Sequence, residues 1–92
     1  MSAPNNVTVT QTALNTSTAT LICPQRPSRR RVLIQNIDGT STNTAFIGNT
    51  GVTTSTGWKI AGALGSVELY TNVALYAIAG ANTPTVTVLE EY

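Results

Sequence analysis

Residues 30–37 read Arg-Arg-Val-Leu-Ile-Gln-Asn-Ile, and the turn residues Asp-Gly-Thr-Ser-Thr-Asn follow at once as residues 38–43. The aliphatic and β-branched centre of the first stretch favours a strand that is buried on much of both faces. The pair Asp38-Gly39 favours a hairpin turn. This part of the chain therefore predicts a buried strand that ends in a tight turn.

Seven further segments carry strand signals, with turn residues about every ten positions between them. Residues 7–12 alternate apolar and polar side chains, the pattern of a half-buried strand, and so do residues 85–90; shorter β-prone segments cover 19–23, 44–48, 58–60, 66–70 and 75–79. The best helical candidate, residues 73–81, lies between turn signals and is assigned as a strand. The glycines in the turns are expected to supply positive φ. The pattern predicts an all-β fold, a small seven- to eight-stranded antiparallel β-sandwich that is jelly-roll-like.

The chain has 92 residues and a mass of 9.6 kDa, the size of one domain. Residues 1–6 are small and polar and are expected to form a flexible N-terminal arm, and residues 7–92 the single β-sandwich domain. The sequence contains neither a run of about 18 apolar residues nor a secretory signal pattern. Charged residues make up 10% of the chain and the net charge is +1. Because such a surface tends to self-associate, we expect an oligomer or a component of a larger assembly.

Candidate catalytic groups are few. The chain has no histidine, the commonest general base. The four carboxylates are Asp38, Glu68, Glu90 and Glu91, and their spacing does not suggest the facing pair of a glycosidase. Cys23 is the only cysteine, and we interpret it as a small apolar residue packed in a strand. We therefore expect no enzymatic activity, no cofactor and no metal site.

Four of the five basic residues lie within six positions, as Arg26, Arg29, Arg30 and Arg31. One interpretation is a solvated turn that keeps a neighbouring strand edge from pairing. The other is contact with carboxylates of a partner or a neighbouring subunit, since guanidinium groups form bidentate pairs with carboxylates. Nucleic-acid binding is not expected, because acidic residues nearly cancel the charge and no aromatic residues are interleaved with the arginines.

The aromatic residues suggest a core and a surface. Phe46 is expected in the core. Trp58 follows a long loop, residues 49–57, and fits either core packing or an interface or ligand-stacking role. Tyr70 and Tyr76 flank a turn and are candidates for an oligomer or ligand surface. Trp58 with Asn49 could form part of a sugar-binding site.

Several strand and turn motifs together resemble a family of small all-β proteins and domains encoded by tailed bacteriophages and prophages. These are Val-Leu-Ile-Gln-Asn at 32–36, Ala-Phe-Ile-Gly at 45–48, Gly-Val-Thr-Thr-Ser-Thr-Gly at 51–57 and Leu-Tyr-Ala-Ile-Ala at 75–79. The resemblance extends over residues 31–90 and does not include residues 1–30. The motifs are structural patterns and carry no catalytic signature.

The resemblance implies a virion structural protein: a capsid decoration, or cement, protein that is made in the host cytoplasm, binds the exterior of the assembled head and stabilises it. It also implies a homotrimer whose partner is the major capsid protein. Because the net charge is only +1, we expect neither nucleic acid nor a membrane as a partner. The alternative is an attachment module of a head fibre or tail that binds cell-surface glycans. The contact surface that we expect combines the arginine cluster with the start of the chain: Ser2, Ala3, Pro4, Asn5, Asn6, Arg26, Arg29, Arg30 and Arg31.

Overall fold

The computed structural model describes residues 7–92, which form eight strands and no helix. The strands are β1 (Val7–Ala13), β2 (Thr20–Cys23), β3 (Arg31–Asn36), β4 (Ala45–Gly48), β5 (Trp58–Ile60), β6 (Ser66–Leu69), β7 (Leu75–Ala79) and β8 (Thr85–Glu91). The predicted all-β fold is confirmed, and so is the assignment of residues 75–79 as a strand. The described part of the chain holds no helix long and apolar enough to cross a membrane.

The strands form two four-stranded antiparallel sheets. Sheet A has the order β1-β8-β3-β6, and sheet B has the order β2-β7-β4-β5. The pairs β1–β8, β2–β7, β3–β6 and β4–β5 follow one another along a single long hairpin that spans both sheets. The loop of residues 49–57 is its tip. The pairs β3–β8 and β4–β7 complete the two sheets. This pairing is the jelly-roll arrangement of two packed sheets.

The core lies between the sheets and is built from alternate residues of the central strands. β3 and β8 each bury every second side chain, as period-two geometry requires when one face of a sheet is covered. Burying each large aliphatic side chain contributes about 1.5–3 kcal/mol relative to leaving it exposed. Fully buried apolar residues include Leu14, Cys23, Val32, Ile34, Val86 and Val88.

Strand β1 differs from the half-buried strand that its alternation predicts. Opposite residues in an antiparallel pair share a face, and Thr8 is opposite the buried Glu90. The threonines therefore point to the inner side of sheet A, and the valines point outward. Val7 is 54% exposed and Val9 57% exposed. The prediction is wrong because the register with β8, which the sequence of β1 does not encode, sets which face is covered.

The turn at Asp38-Gly39 also differs from expectation. β3 belongs to sheet A and β4 to sheet B, so residues 37–44 cross between the sheets and do not close a hairpin. The side chains of Asn36, Asp38 and Asn43 organise this crossing: Asn36 Nδ2 donates to Asn43 O at 2.8 Å, and Asn43 Nδ2 donates to Asp38 Oδ1 at 3.1 Å. Asx side chains thus replace the predicted hairpin geometry.

In residues 7–92 the glycines allow chain segments to pack closely and do not adopt a left-handed backbone conformation. No glycine in residues 7–92 has positive φ; that conformation is adopted by Ala63, Leu64 and Asn82. A Cβ built on Gly57 would lie 2.7 Å from Phe46 Cβ. The loop of residues 49–57 packs there on the outer face of sheet B, where it covers Phe46. Phe46 is half-buried beneath this loop and lies outside the cluster between the sheets.

Candidate partner interface

Strand register brings most of the charged residues to one end of the molecule. Glu91 is paired with Val7 on one side and with Arg31 on the other. The first described residue of β1 therefore lies at the same end as the arginine cluster. Residues 2–6 lie outside the described residues, but they join the chain at this point. The start of β1 and the arginine cluster, which are far apart in sequence, thus meet at one end of sheet A.

Arg29 requires a correction, because it lies inside the protein. Its side chain is 0% exposed, and Nη1 donates to Glu90 Oε1 at 2.8 Å. Nη1 also donates to Pro24 O at 2.9 Å, Nε to Thr71 O at 2.9 Å and Nη2 to Val73 O at 2.6 Å. These bonds tie three segments together, so Arg29 has no surface to offer a partner.

Arg26 shares the same carboxylate from the outside. Its Nε donates to Glu90 Oε1 at 3.1 Å, and its guanidinium carbon lies 5.9 Å from the centre of the Tyr92 ring. That distance is within the range of a cation–π interaction. Unlike Arg29, Arg26 keeps a partly exposed side chain and can reach a partner.

Arg30 and Arg31 also differ from each other in how far they are exposed to solvent. Arg30 is exposed, and its Nη2 donates to the main-chain oxygen of Tyr92 at 3.1 Å. Arg31 is half-buried between two carboxylates: it donates to Glu68, and its Nε lies 3.3 Å from Glu91 Oε1 without the alignment of a hydrogen bond. The bond to Glu68, followed by the charge of Glu91, raises the pKa of the Arg31 guanidinium.

The carboxylates that meet the arginines come from the same chain. Four of the five cationic side chains and three of the four anionic side chains lie at this end, which leaves one positive side-chain charge in excess. The sequence interpretation considered solvent and a partner but did not consider Glu68, Glu90 and Glu91, which lie 37 or more positions away. Only strand register places them, so no local signal could have found them.

The three aromatic residues of the predicted oligomer or ligand surface do not form one surface. Trp58 is opposite Ile47 and points to the inner side of sheet B, whereas Tyr76 is opposite Gly48 and points outward. Tyr70 follows β6 in the other sheet and is exposed. The loop with Asn49 packs on the outer face of sheet B, whereas the Trp58 side chain lies on its inner side.

A cleft that sequence reasoning missed opens where edge strands β5 and β6 face each other. Its volume is about 390 Å³. Inward side chains of both sheets line it, and Trp58, 68% exposed, lies at its rim. The remaining lining comes from Ile47, Gly48, Val67, Glu68, Leu69 and Leu75. The shortness of β5 and β6 leaves the core uncovered here, but strand length alone does not show which edges face each other.

The surroundings of Cys23, the candidate nucleophile, favour a structural role. Cys23 is fully buried in β2, as predicted for a small apolar residue, and burial raises the pKa of its thiol. A raised thiol pKa lowers the thiolate fraction on which nucleophilic reactivity depends. Among residues 7–92, no group of three or more His, Cys, Asp or Glu side chains could hold a metal ion.

Comparison of the chain with protein families, with curated proteins and with solved structures finds no match. The resemblance to bacteriophage virion proteins therefore stays a prediction.

Proposed function

We propose that this protein is a non-enzymatic structural protein of a bacteriophage particle, a decoration protein that binds the exterior of the assembled head and stabilises it. The motifs of residues 31–90 support the virion assignment. The jelly-roll architecture is compatible with it but also serves many other functions, so it adds little by itself.

The observation that carries the proposal is the meeting of the start of β1 and the arginine cluster at one end of sheet A. Arg30 is exposed there and Arg26 is partly exposed, and the side-chain charges at this end sum to +1. Residues 2–6 immediately precede β1 in the sequence. A shell surface that offers carboxylates or main-chain carbonyls would be recognised by these two arginines together with an extended segment.

Multiple copies would turn such a modest contact into firm attachment. One end with two available arginines offers few charge-assisted bonds, and exposed ion pairs each contribute only about 0–1 kcal/mol. A homotrimer that bridges several shell subunits engages three such ends at once, and the second and third contacts become intramolecular. The major capsid protein and a second copy of this chain are therefore the partners of the proposal.

The test measures occupancy of undecorated shells by the purified protein. Alanine replacement of Arg26 and Arg30 together is expected to reduce the bound copies several-fold at low salt, and deletion of residues 2–6 to reduce them further. Lys59→Ala is the matched control, since Lys59 is an exposed cation on a strand of the other sheet.

Three results would count against the proposal in different ways. Equal occupancy of the Arg26/Arg30 variant and the wild type removes the arginines from the mechanism. Equal occupancy after deletion of residues 2–6 removes that segment. If the wild-type protein leaves shells bare at every concentration, the decoration role itself is wrong.

A second candidate function is a glycan-binding module of a fibre or tail. The observation in its favour is the exposed ring of Trp58 at a cleft, because aromatic rings stack on sugars. The cleft lining is almost entirely apolar, however, and its one carboxylate, Glu68, is already paired with Arg31. Glycan-array binding that is abolished by Trp58→Ala would favour this candidate over decoration.

A further inference from the structure

Strand β1 has an edge without the usual protection against pairing. It lies at the edge of sheet A and keeps seven consecutive pairs with β8 without a bulge. Its sequence, Val-Thr-Val-Thr-Gln-Thr-Ala, contains no charge and no proline. Natural edge strands are commonly blunted by lysine, proline or bulges, since unpaired N–H and C=O groups recruit further strands. β1 also exposes two valines on its outward face.

The opposite edge of the sandwich leaves apolar side chains partly uncovered. There β6 is the edge of sheet A and β5 the edge of sheet B, and the apolar cleft lies between them. The cleft is lined by inward side chains that are only partly covered: Val67 and Leu69 from one sheet, which pack against the edge of the core, and the exposed Trp58 from the other. An exposed tryptophan beside uncovered aliphatic residues is typical of an interface anchor site.

We propose that β1 of one copy docks at the cleft of a second copy, pairing with the free edge of β6 and inserting Val7 and Val9 beside Trp58. The two valines are two residues apart, and so are Val67 and Leu69, so both pairs repeat at the spacing of one face of a strand. β1 brings no charge into the apolar cleft. The contact satisfies two strand edges and covers two exposed apolar surfaces at once.

The occupant is a second copy because both halves of the contact lie on this chain, at opposite rims of the same molecule. A contact between two different patches is heterologous, so each copy gives one β1 and receives another. Such contacts close into a ring when the rotation between copies allows it. This inference deepens the self-association part of the proposed function, and its test needs no shell, so the two can fail separately.

Sedimentation equilibrium and Trp58 fluorescence of the full chain test the contact. Because Trp58 is the only tryptophan, its emission is expected to shift to shorter wavelength as association covers the ring. Replacing Val7 and Val9 together by lysine, the residue that protects natural edges, is expected to weaken association at least about tenfold. The matched control is Val73→Lys, because Val73 is a valine of similar exposure, 52%, outside both surfaces.

Mixing two defective variants distinguishes this contact from a symmetric one. Trp58→Asp damages the cleft but keeps β1, whereas the Val7/Val9 lysine variant keeps the cleft. Each alone should be monomeric, and the mixture should form a two-copy species in which the remaining Trp58 emission shifts. Circular dichroism checks that both variants fold.

Three outcomes overturn the proposal. The first is a wild-type protein that stays monomeric throughout. The second is a Trp58→Asp variant that associates like the wild type, as pairing of β1 with β1 would allow. The third is a mixture that stays monomeric.

Discussion

At the scale of single residues, Arg29 and Glu90 hold together the end of the molecule that the proposed interface uses. Their side chains are 0% and 1% exposed. A guanidinium and a carboxylate removed from water are tolerated only when nearly all their hydrogen-bonding groups have partners. Main-chain carbonyls of Pro24, Thr71 and Val73 supply those partners. The pair thereby fixes the loops beside which Arg26 and Arg30 are displayed.

We expect Arg29→Met to reduce the free energy of unfolding by about 3–5 kcal/mol, because it leaves Glu90 buried with Arg26 as its only remaining charged partner. Arg30→Ala removes a neighbouring exposed cation and is expected to change stability by about 0.5 kcal/mol or less. Urea unfolding of both variants measures the difference. Equal stability of the two variants would show that the buried ion pair of Arg29 and Glu90 does not stabilise this end of the molecule.

Cys23 gives a pH dependence. Burial raises the pKa of its thiol in the folded state, followed by a smaller opposing effect of the Arg29 charge. The folded protein therefore holds the thiol proton more tightly than the unfolded chain does. This contribution to stability is complete below the unfolded value of about 8.5 and is lost as the pH rises through the raised pKa.

The prediction compares the wild type with Cys23→Ala between pH 7 and pH 10. Above about pH 8.5, the stability advantage of the wild type should shrink by up to about 1.4 kcal/mol per pH unit. The two proteins differ only at residue 23, so the change in their stability difference with pH isolates the thiol. A constant difference across this range would contradict the assignment.

At the scale of elements, the sequence predicts where strands are but not what covers them. All eight strands lie within a residue or two of the alternating or β-prone segments, because period two is a local property. The outward valines of β1, the burial of Arg29 alone among four arginines, and the cleft at β5 and β6 depend on pairing between distant segments. Composition and spacing carry no information about that pairing, so these three features could not have been predicted.

The turn between β5 and β6 contains a strained backbone conformation. Leu64 has φ 75°, a left-handed conformation that costs a non-glycine residue roughly 1–2 kcal/mol, and its side chain is largely exposed. Leu64→Gly is expected to leave stability unchanged or to raise it by up to about 1 kcal/mol, despite the loss of a leucine.

The control for this substitution is Leu21→Gly in strand β2. Leu21 is also exposed but lies within a strand, so glycine there should destabilise the protein by about 1 kcal/mol. Thermal unfolding of both variants measures the contrast. If Leu64→Gly destabilised the protein as much as Leu21→Gly, the left-handed conformation at residue 64 would carry no strain.

At the scale of the whole molecule, the two halves of the chain interlock completely. Each of the six strand pairs joins one strand of β1–β4 to one strand of β5–β8; within residues 7–92 no two strands of the same half are paired. Each sheet likewise takes two strands from each half. The core therefore cannot form in either half alone, and its stability belongs to the molecule as a unit.

We expect the chain cut between Thr54 and Ser55, at the exposed tip of the long hairpin, to give two fragments that are each unfolded. Without partners, strands of one half cannot form sheets, since isolated strands need a paired, half-covered surface to be stable. Mixed in equal amounts, the fragments should recover the β-sheet circular dichroism of the intact chain, with a midpoint of thermal unfolding that rises with concentration. A fragment that melts cooperatively by itself would show that one half holds an independent core, which the interlocked pairing forbids.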